Sequence, residues 1–134
     1  MSADASLVKG GTILIPSGPA DHLHFVCCAP VLYPQLAKEC LLLVNISTID
    51  PSLSHDPACI LSPGDHPFIN RPSYVYYRKA DIFGCASIAQ ELIDGTFTTH
   101  ASASDEIINR VLAGFSESRE VRPKPLAFYN KYIA

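Results

Sequence analysis

Two histidines separated by one residue, His22 and His24, have types and spacing that suit chemistry. They lie at the start of an apolar run that predicts a β-strand, and residues two apart on a strand share a face. Imidazole exchanges protons near neutral pH, which suits general acid–base catalysis or contact with a phosphate. It also binds transition metals. Further metal ligands would come from His55, Cys59, Asp65 or His66. Acid–base chemistry, a metal site and two ordinary surface histidines are therefore the alternatives.

A second candidate is the polar strand end Asn45-Ile46-Ser47-Thr48, which follows an apolar run. Alternation places Asn45 and Ser47 on one face of the strand, and Thr48 on the other. Polar groups that interrupt an apolar face favour a rim or a cleft, and a strand end that runs into a loop is the alternative. The hydroxyls of Ser47 and Thr48 are candidate catalytic groups beside the histidines.

A third region runs from a proline-containing loop at residues 64–69 into a strand rich in tyrosine. Strand alternation places Ser73 and Tyr77 on one face, and Tyr74 and Tyr76 on the other. Tyrosines on a strand serve either in a core or as platforms on which bases stack. The densest basic cluster of the chain, Arg71, Arg78 and Lys79, lies here too. The candidate substrate-binding residues are His66, Arg71, Ser73, Tyr77, Arg78 and Lys79.

Composition limits the class of protein. The chain has 134 residues, 48% of them hydrophobic, which fits one domain with its own core. A net charge of −3 argues against coating nucleic acid by bulk charge, although a local basic groove remains compatible with it. The five cysteines fit no disulfide framework. With no apolar run long enough to span a bilayer and no signal peptide, we expect no membrane contact and a cytoplasmic protein.

The elements that position these residues are mainly β. A frayed terminus is predicted for residues 1–9, and turn clusters separate the strands. Five short strands are predicted at residues 12–15, 23–29, 41–49, 58–61 and 73–82. Helices are predicted at residues 86–93, after a capping box at residues 102–105, and at residues 126–133. The expected fold is α+β: a small barrel at residues 10–83, then a helical extension at residues 84–134 that packs on it.

The order of these segments resembles that of PemK/MazF-type toxin ribonucleases. The matching segments are residues 11–16, 23–28, 42–48, 64–69 and 73–82. The resemblance implies an SH3-like barrel, a homodimer, an antitoxin partner, and cleavage of single-stranded RNA without a metal or other cofactor. The family pairs an arginine in its first loop with a Ser or Thr at the end of strand three. Ser47 and Thr48 match the second position. The loop at residues 17–21 contains no basic residue, so His22 or His24 would replace the arginine.

Two other functions fit the same residues. One is a non-catalytic SH3-like module of a phage or plasmid, which would bind a protein through its barrel edge or through the amphipathic helix at residues 104–116. The other is a metal site built on His22, His24 and His66.

Overall fold

The computed structural model describes residues 7–134. The strands are β1 Thr12–Ser17, β2 Ala20–Val26, β3 Val31–Tyr33, β4 Lys38–Thr48, β5 Ile60–Leu61, β6 Ser73–Val75, β7 Asp81–Gly84 and β8 Thr98–His100. The helices are α1 Cys85–Ile93, α2 Asp105–Glu117 and α3 Pro123–Tyr132. The predicted α+β fold, mainly β with helices at the carboxyl end, is confirmed.

The strands form one eight-stranded antiparallel sheet in which β4 is the central strand. The main path runs β5-β6-β4-β2-β1-β8, and β3 and β7 pair with the first half of β4. This path ends at two edge strands, β5 and β8, so the described strands do not close into the barrel that the sequence resemblance implied. The run from Leu41 to Val44 is fully buried because neighbouring strands flank β4 on both sides.

The predicted strand at residues 73–82 is interrupted. Its middle forms a 3-10 helix, Tyr77–Lys79, between β6 and β7. The interruption places the ring of Tyr77 in the core, where its hydroxyl donates a hydrogen bond of 2.6 Å to the carbonyl of Val111 on α2. The prediction of one continuous strand at residues 73–82 is therefore wrong. Tyr77 makes its buried contact with α2 at the point where the strand is interrupted.

The helix α2 begins where the sequence predicts. The Ser104 hydroxyl accepts a hydrogen bond from the amide of Ile107, as an N-cap does. The apolar stripe of α2 is buried: Ile107, Ile108, Val111 and Phe115. Phe115 contacts Tyr77 edge-on, with ring centroids 4.9 Å apart, and stacks on Tyr129 of α3 at the same distance. This helix therefore packs on its own chain, and its apolar face is not available to a protein partner.

Strand β8 lies within the predicted helical extension, residues 84–134, between its first two predicted helices. It pairs with β1, and the Thr12 hydroxyl donates to the carbonyl of Ala101 just after it. Residues 1–6 of the predicted frayed terminus lie outside the described residues, whereas Leu7 is buried in the core. Within residues 7–134, the structure contains no helix with the length and apolarity that crossing a membrane requires.

Candidate functional site

The candidate site opens where β2 and β4 separate. Their pairing ends at His24 opposite Asn45. Beyond that point β2 continues alongside β1, and β4 continues alongside β6. His22 lies on β2 two residues before His24, and Ser47 lies on β4 two residues after Asn45. The two residues therefore face each other across the gap that opens between β2 and β4. Both residues line two adjoining clefts, so the separation of the strands places these two side chains at the centre of the site.

The larger cleft has a volume of about 560 Å³. Besides His22 and Ser47, its lining includes two further predicted site residues, Thr48 and Ser73. The Ser73 hydroxyl donates a hydrogen bond of 2.9 Å to the carbonyl of Arg71. Its hydrogen is therefore not available to bond a ligand. The apolar wall of the cleft comes from Ile46, Phe68 and Ile69, with His100 beside them.

The smaller cleft, of about 300 Å³, contains a lysine and two histidines, whereas the larger cleft contains Asp21 and His100 besides His22. The lining of the smaller cleft includes His22, His24, Asn45, Ser47, Tyr76 and Lys79. The ammonium group of Lys79 lies 5.7 Å from the centre of the Tyr76 ring, a cation–π distance. A cation, two imidazoles, an amide and a hydroxyl at one cleft are groups that bind an anion and move protons beside it.

His24 is held in one protonation state. Its Nδ1 lies 3.0 Å from the carbonyl oxygen of His22, and burial lowers the pKa of His24 from 6.5 to about 4. The ring is therefore neutral at pH 7. Because a carbonyl oxygen only accepts, Nδ1 carries the hydrogen and Nε2 keeps the lone pair. That form of imidazole accepts a proton at Nε2.

Tyr74 and Tyr76 lie on the same face as the polar residues of β4. Tyr74 is paired with Ser47, and the amide of Tyr76 donates to the carbonyl of Asn45 at 2.8 Å. Neighbouring residues across antiparallel strands share a face. Tyr77 lies beyond the end of β6, in the 3-10 helix, and its ring packs against α2 instead.

Two residues predicted to bind substrate are instead internal. Tyr77 is 0% exposed and bonds to Val111. His66 is 2% exposed; its Nε2 donates to the carbonyl of Ala101 at 2.6 Å, and its Nδ1 accepts from the amide of Phe68. Both side chains have filled their hydrogen-bonding positions inside the fold, so the prediction that they contact substrate is corrected.

The three residues of the predicted basic cluster separate in space. Lys79 lines the smaller cleft, whereas Arg78 lines a third, polar cleft and forms an ion pair of 3.7 Å with Glu120. Arg71 is exposed and lines neither the larger nor the smaller cleft.

The metal alternative finds no support in residues 7–134. No group of three or more His, Cys, Asp or Glu side chains in this part of the chain is arranged to hold a metal ion. His66, which was to complete the set with His22 and His24, is bonded to Ala101.

Comparison with known proteins returned no match: no family model fits the chain, and no curated protein or solved structure is significantly similar to it.

Proposed function

We propose that this protein is a metal-independent endoribonuclease that cleaves single-stranded RNA, with a toxin-like action in the cytoplasm. One observation carries the proposal: His22 and Ser47 lie across the separation of β2 and β4, in a cleft that also contains His24 and Lys79. These residue types are what a 2′-hydroxyl attack on phosphorus requires. The homodimer and the antitoxin partner belong to the same proposal and rest on the sequence resemblance.

His24 is the general base. Its neutral ring, with the lone pair on Nε2, takes the proton of the ribose 2′-hydroxyl. The 2′-oxygen then forms a bond to phosphorus, and the bond from phosphorus to the 5′-oxygen breaks. The products are one strand that ends in a 2′,3′-cyclic phosphate and one that begins with a 5′-hydroxyl.

His22 is the general acid that protonates the departing 5′-oxygen, because it lies next to His24 on the same face of β2. Lys79 balances the negative charge that develops on the phosphorane oxygens. Ser47 donates a hydrogen bond to one of those oxygens from the opposite strand. Thr48 lies at the exposed end of β4 and contacts the substrate in the larger cleft.

The test is cleavage of a labelled single-stranded RNA by purified protein in EDTA, with the product ends identified by mass spectrometry. We expect 2′,3′-cyclic phosphate ends, and a loss of about 100-fold or more for His24→Ala, the range usual for general base catalysis. Ser47→Ala should cost about tenfold, which is the loss of one hydrogen bond to a charged group.

Arg71→Ala is the matched control, because Arg71 is exposed and outside both clefts. Its cleavage rate should equal that of the unmodified protein. Intact RNA after prolonged incubation, or cleavage that His24→Ala leaves unchanged, would exclude this function. Growth arrest on induced expression, absent in His24→Ala, tests the toxin-like action.

A further inference from the structure

We infer that Tyr74, Tyr76 and His55 form a stacking platform for unpaired nucleobases beside the cleft that contains His22 and Ser47. The inference rests on the proposed function, because it says where the substrate bases next to the cleaved bond lie. Tyr76 lines the proposed catalytic cleft itself, whereas Tyr74 and His55 line the adjoining third cleft. The sequence pattern leaves the two tyrosines open to either a core or a stacking role, and it does not include His55 among the candidate substrate-binding residues.

The three rings form a row. The ring centroids of Tyr74 and Tyr76 are 5.5 Å apart with their planes tilted by 60°, and those of His55 and Tyr74 are 5.2 Å apart with a tilt of 32°. All three side chains are half-buried. A half-buried ring is held in place by its neighbours and still offers part of its surface to a ligand. Unpaired bases stack on aromatic side chains of this kind, and such stacking tolerates any base.

The row is continuous with the proposed catalytic cleft. Tyr76 lines the smaller cleft together with His24 and Lys79. Tyr76 also lines the third cleft, of about 240 Å³, with Tyr74 and His55. A strand whose phosphate lies at Lys79 would therefore pass directly onto the rings of Tyr76 and Tyr74.

The third cleft contains one polar atom that is left without a partner. Nδ1 of His55 is buried and makes no hydrogen bond, and it is the one side-chain nitrogen or oxygen in residues 7–134 with both properties. Less than 1 Å² of this atom is accessible to solvent, so it is closed to a ligand, and the platform rests on the three rings.

The charge that suits a nucleic acid backbone lies at one end of the row, where Lys79 lies over Tyr76. At the other end, Arg78 is paired with Glu120 at 3.7 Å, and Asp56 lines the same third cleft. The described residues that line the smaller cleft include no carboxylate, so a phosphate can approach Lys79 there.

The experiment measures binding without cleavage. A fluorescein-labelled single-stranded oligonucleotide of 2′-O-methyl RNA has no free 2′-hydroxyl, so it binds but does not react. Fluorescence anisotropy gives its Kd. We expect Tyr74→Ala and Tyr76→Ala each to raise Kd by about tenfold, the effect of losing one stacked base. Tyr74→Phe and Tyr76→Phe keep the rings and should bind like the unmodified protein.

Two controls separate stacking from damage to the fold. Leu32→Ala removes an exposed side chain (66% exposed) from β3, a strand that pairs with the opposite half of β4, and should leave Kd unchanged. An oligonucleotide with two adjacent abasic positions tests the unmodified protein and should also bind about tenfold more weakly. Tyr74→Ala should respond less to the abasic positions.

The outcomes distinguish this inference from the proposed function. If RNA is cleaved but the alanine variants and the abasic oligonucleotide bind normally, the platform is excluded and the ribonuclease stands. If RNA is not cleaved but binding depends on both rings, the platform stands and the ribonuclease is excluded. If the unmodified protein does not bind the oligonucleotide at any concentration, the platform is excluded.

Discussion

The hydroxyl oxygen of Tyr77 occupies the space that a Cβ atom on Gly114 would need. Tyr77, which lies where the predicted strand is interrupted, contacts α2 here, and its hydroxyl donates a hydrogen bond to the carbonyl of Val111. The glycine is therefore a packing requirement of the contact between the sheet and α2, and the tyrosine is part of the core.

Replacement of Gly114 tests this contact. Gly114→Ala should lower the free energy of unfolding by about 3 kcal/mol, because the added methyl overlaps a buried side chain. Tyr77→Phe should cost about 1 kcal/mol through the lost hydrogen bond. Urea denaturation of both single variants and the double variant completes a double-mutant cycle, in which Tyr77→Phe should relieve part of the alanine clash. Strict additivity would contradict the contact.

His66→Ala should destabilise the protein without changing its chemistry. The side chain is 2% exposed and links the loop before β6 to Ala101, next to β8. Its loss leaves a cavity and unpaired backbone groups, so we expect a decrease of about 3 kcal/mol in the free energy of unfolding. Cleavage per folded molecule should stay within about twofold of the unmodified protein. A much larger loss, measured where thermal melts show the variant folded, would return His66 to the substrate-binding set.

Acid should destabilise the fold through His24. Burial lowers its pKa from 6.5 to about 4, so between these values the unfolded chain binds a proton that the native protein does not. The stabilising contribution is present above pH 6.5 and is lost as the pH falls to 4, by up to about 3 kcal/mol. Burial lowers the pKa of His66 as well, which acts in the same direction.

The measurement compares urea denaturation at pH 7 and pH 4.5 for the unmodified protein and His24→Gln. Glutamine does not titrate, so the variant should lose less stability over this interval. Other titrating groups affect both proteins equally and cancel in the comparison. Equal losses would show that His24 titrates normally.

Lys79 and Arg71 should differ in salt dependence, although both are exposed cations of the predicted basic cluster. Lys79 lines the smaller cleft and Arg71 does not. With the 2′-O-methyl oligonucleotide, Lys79→Gln should reduce the slope of log Kd against log salt concentration by about 0.7, the value for one phosphate contact with a single strand. Arg71→Gln should leave the slope unchanged. The reverse result would place the phosphate outside the cleft.

The sequence by itself determined the elements that depend on local patterns. The stripe that includes Ile107, Val111 and Phe115, preceded by the Ser104 cap, predicts α2 because helix periodicity and capping are properties of neighbouring residues. Alternation also predicts that His22 and His24 share a face, and that Tyr74 and Tyr76 are separated from Tyr77.

Only the tertiary structure decided which residues meet. His22 and Ser47 come together because β2 and β4 separate beyond His24 and Asn45, and that register depends on pairing between distant segments. β8 forms because β1 offers it a free edge, which no local signal in the segment 98–100 reveals. Tyr77 is buried under α2, whereas Tyr74 and Tyr76 remain half-buried. Alternation leaves the tyrosines of the predicted strand at residues 73–82 open to either a core or a stacking role, and only the long-range contacts decide which ring takes which role.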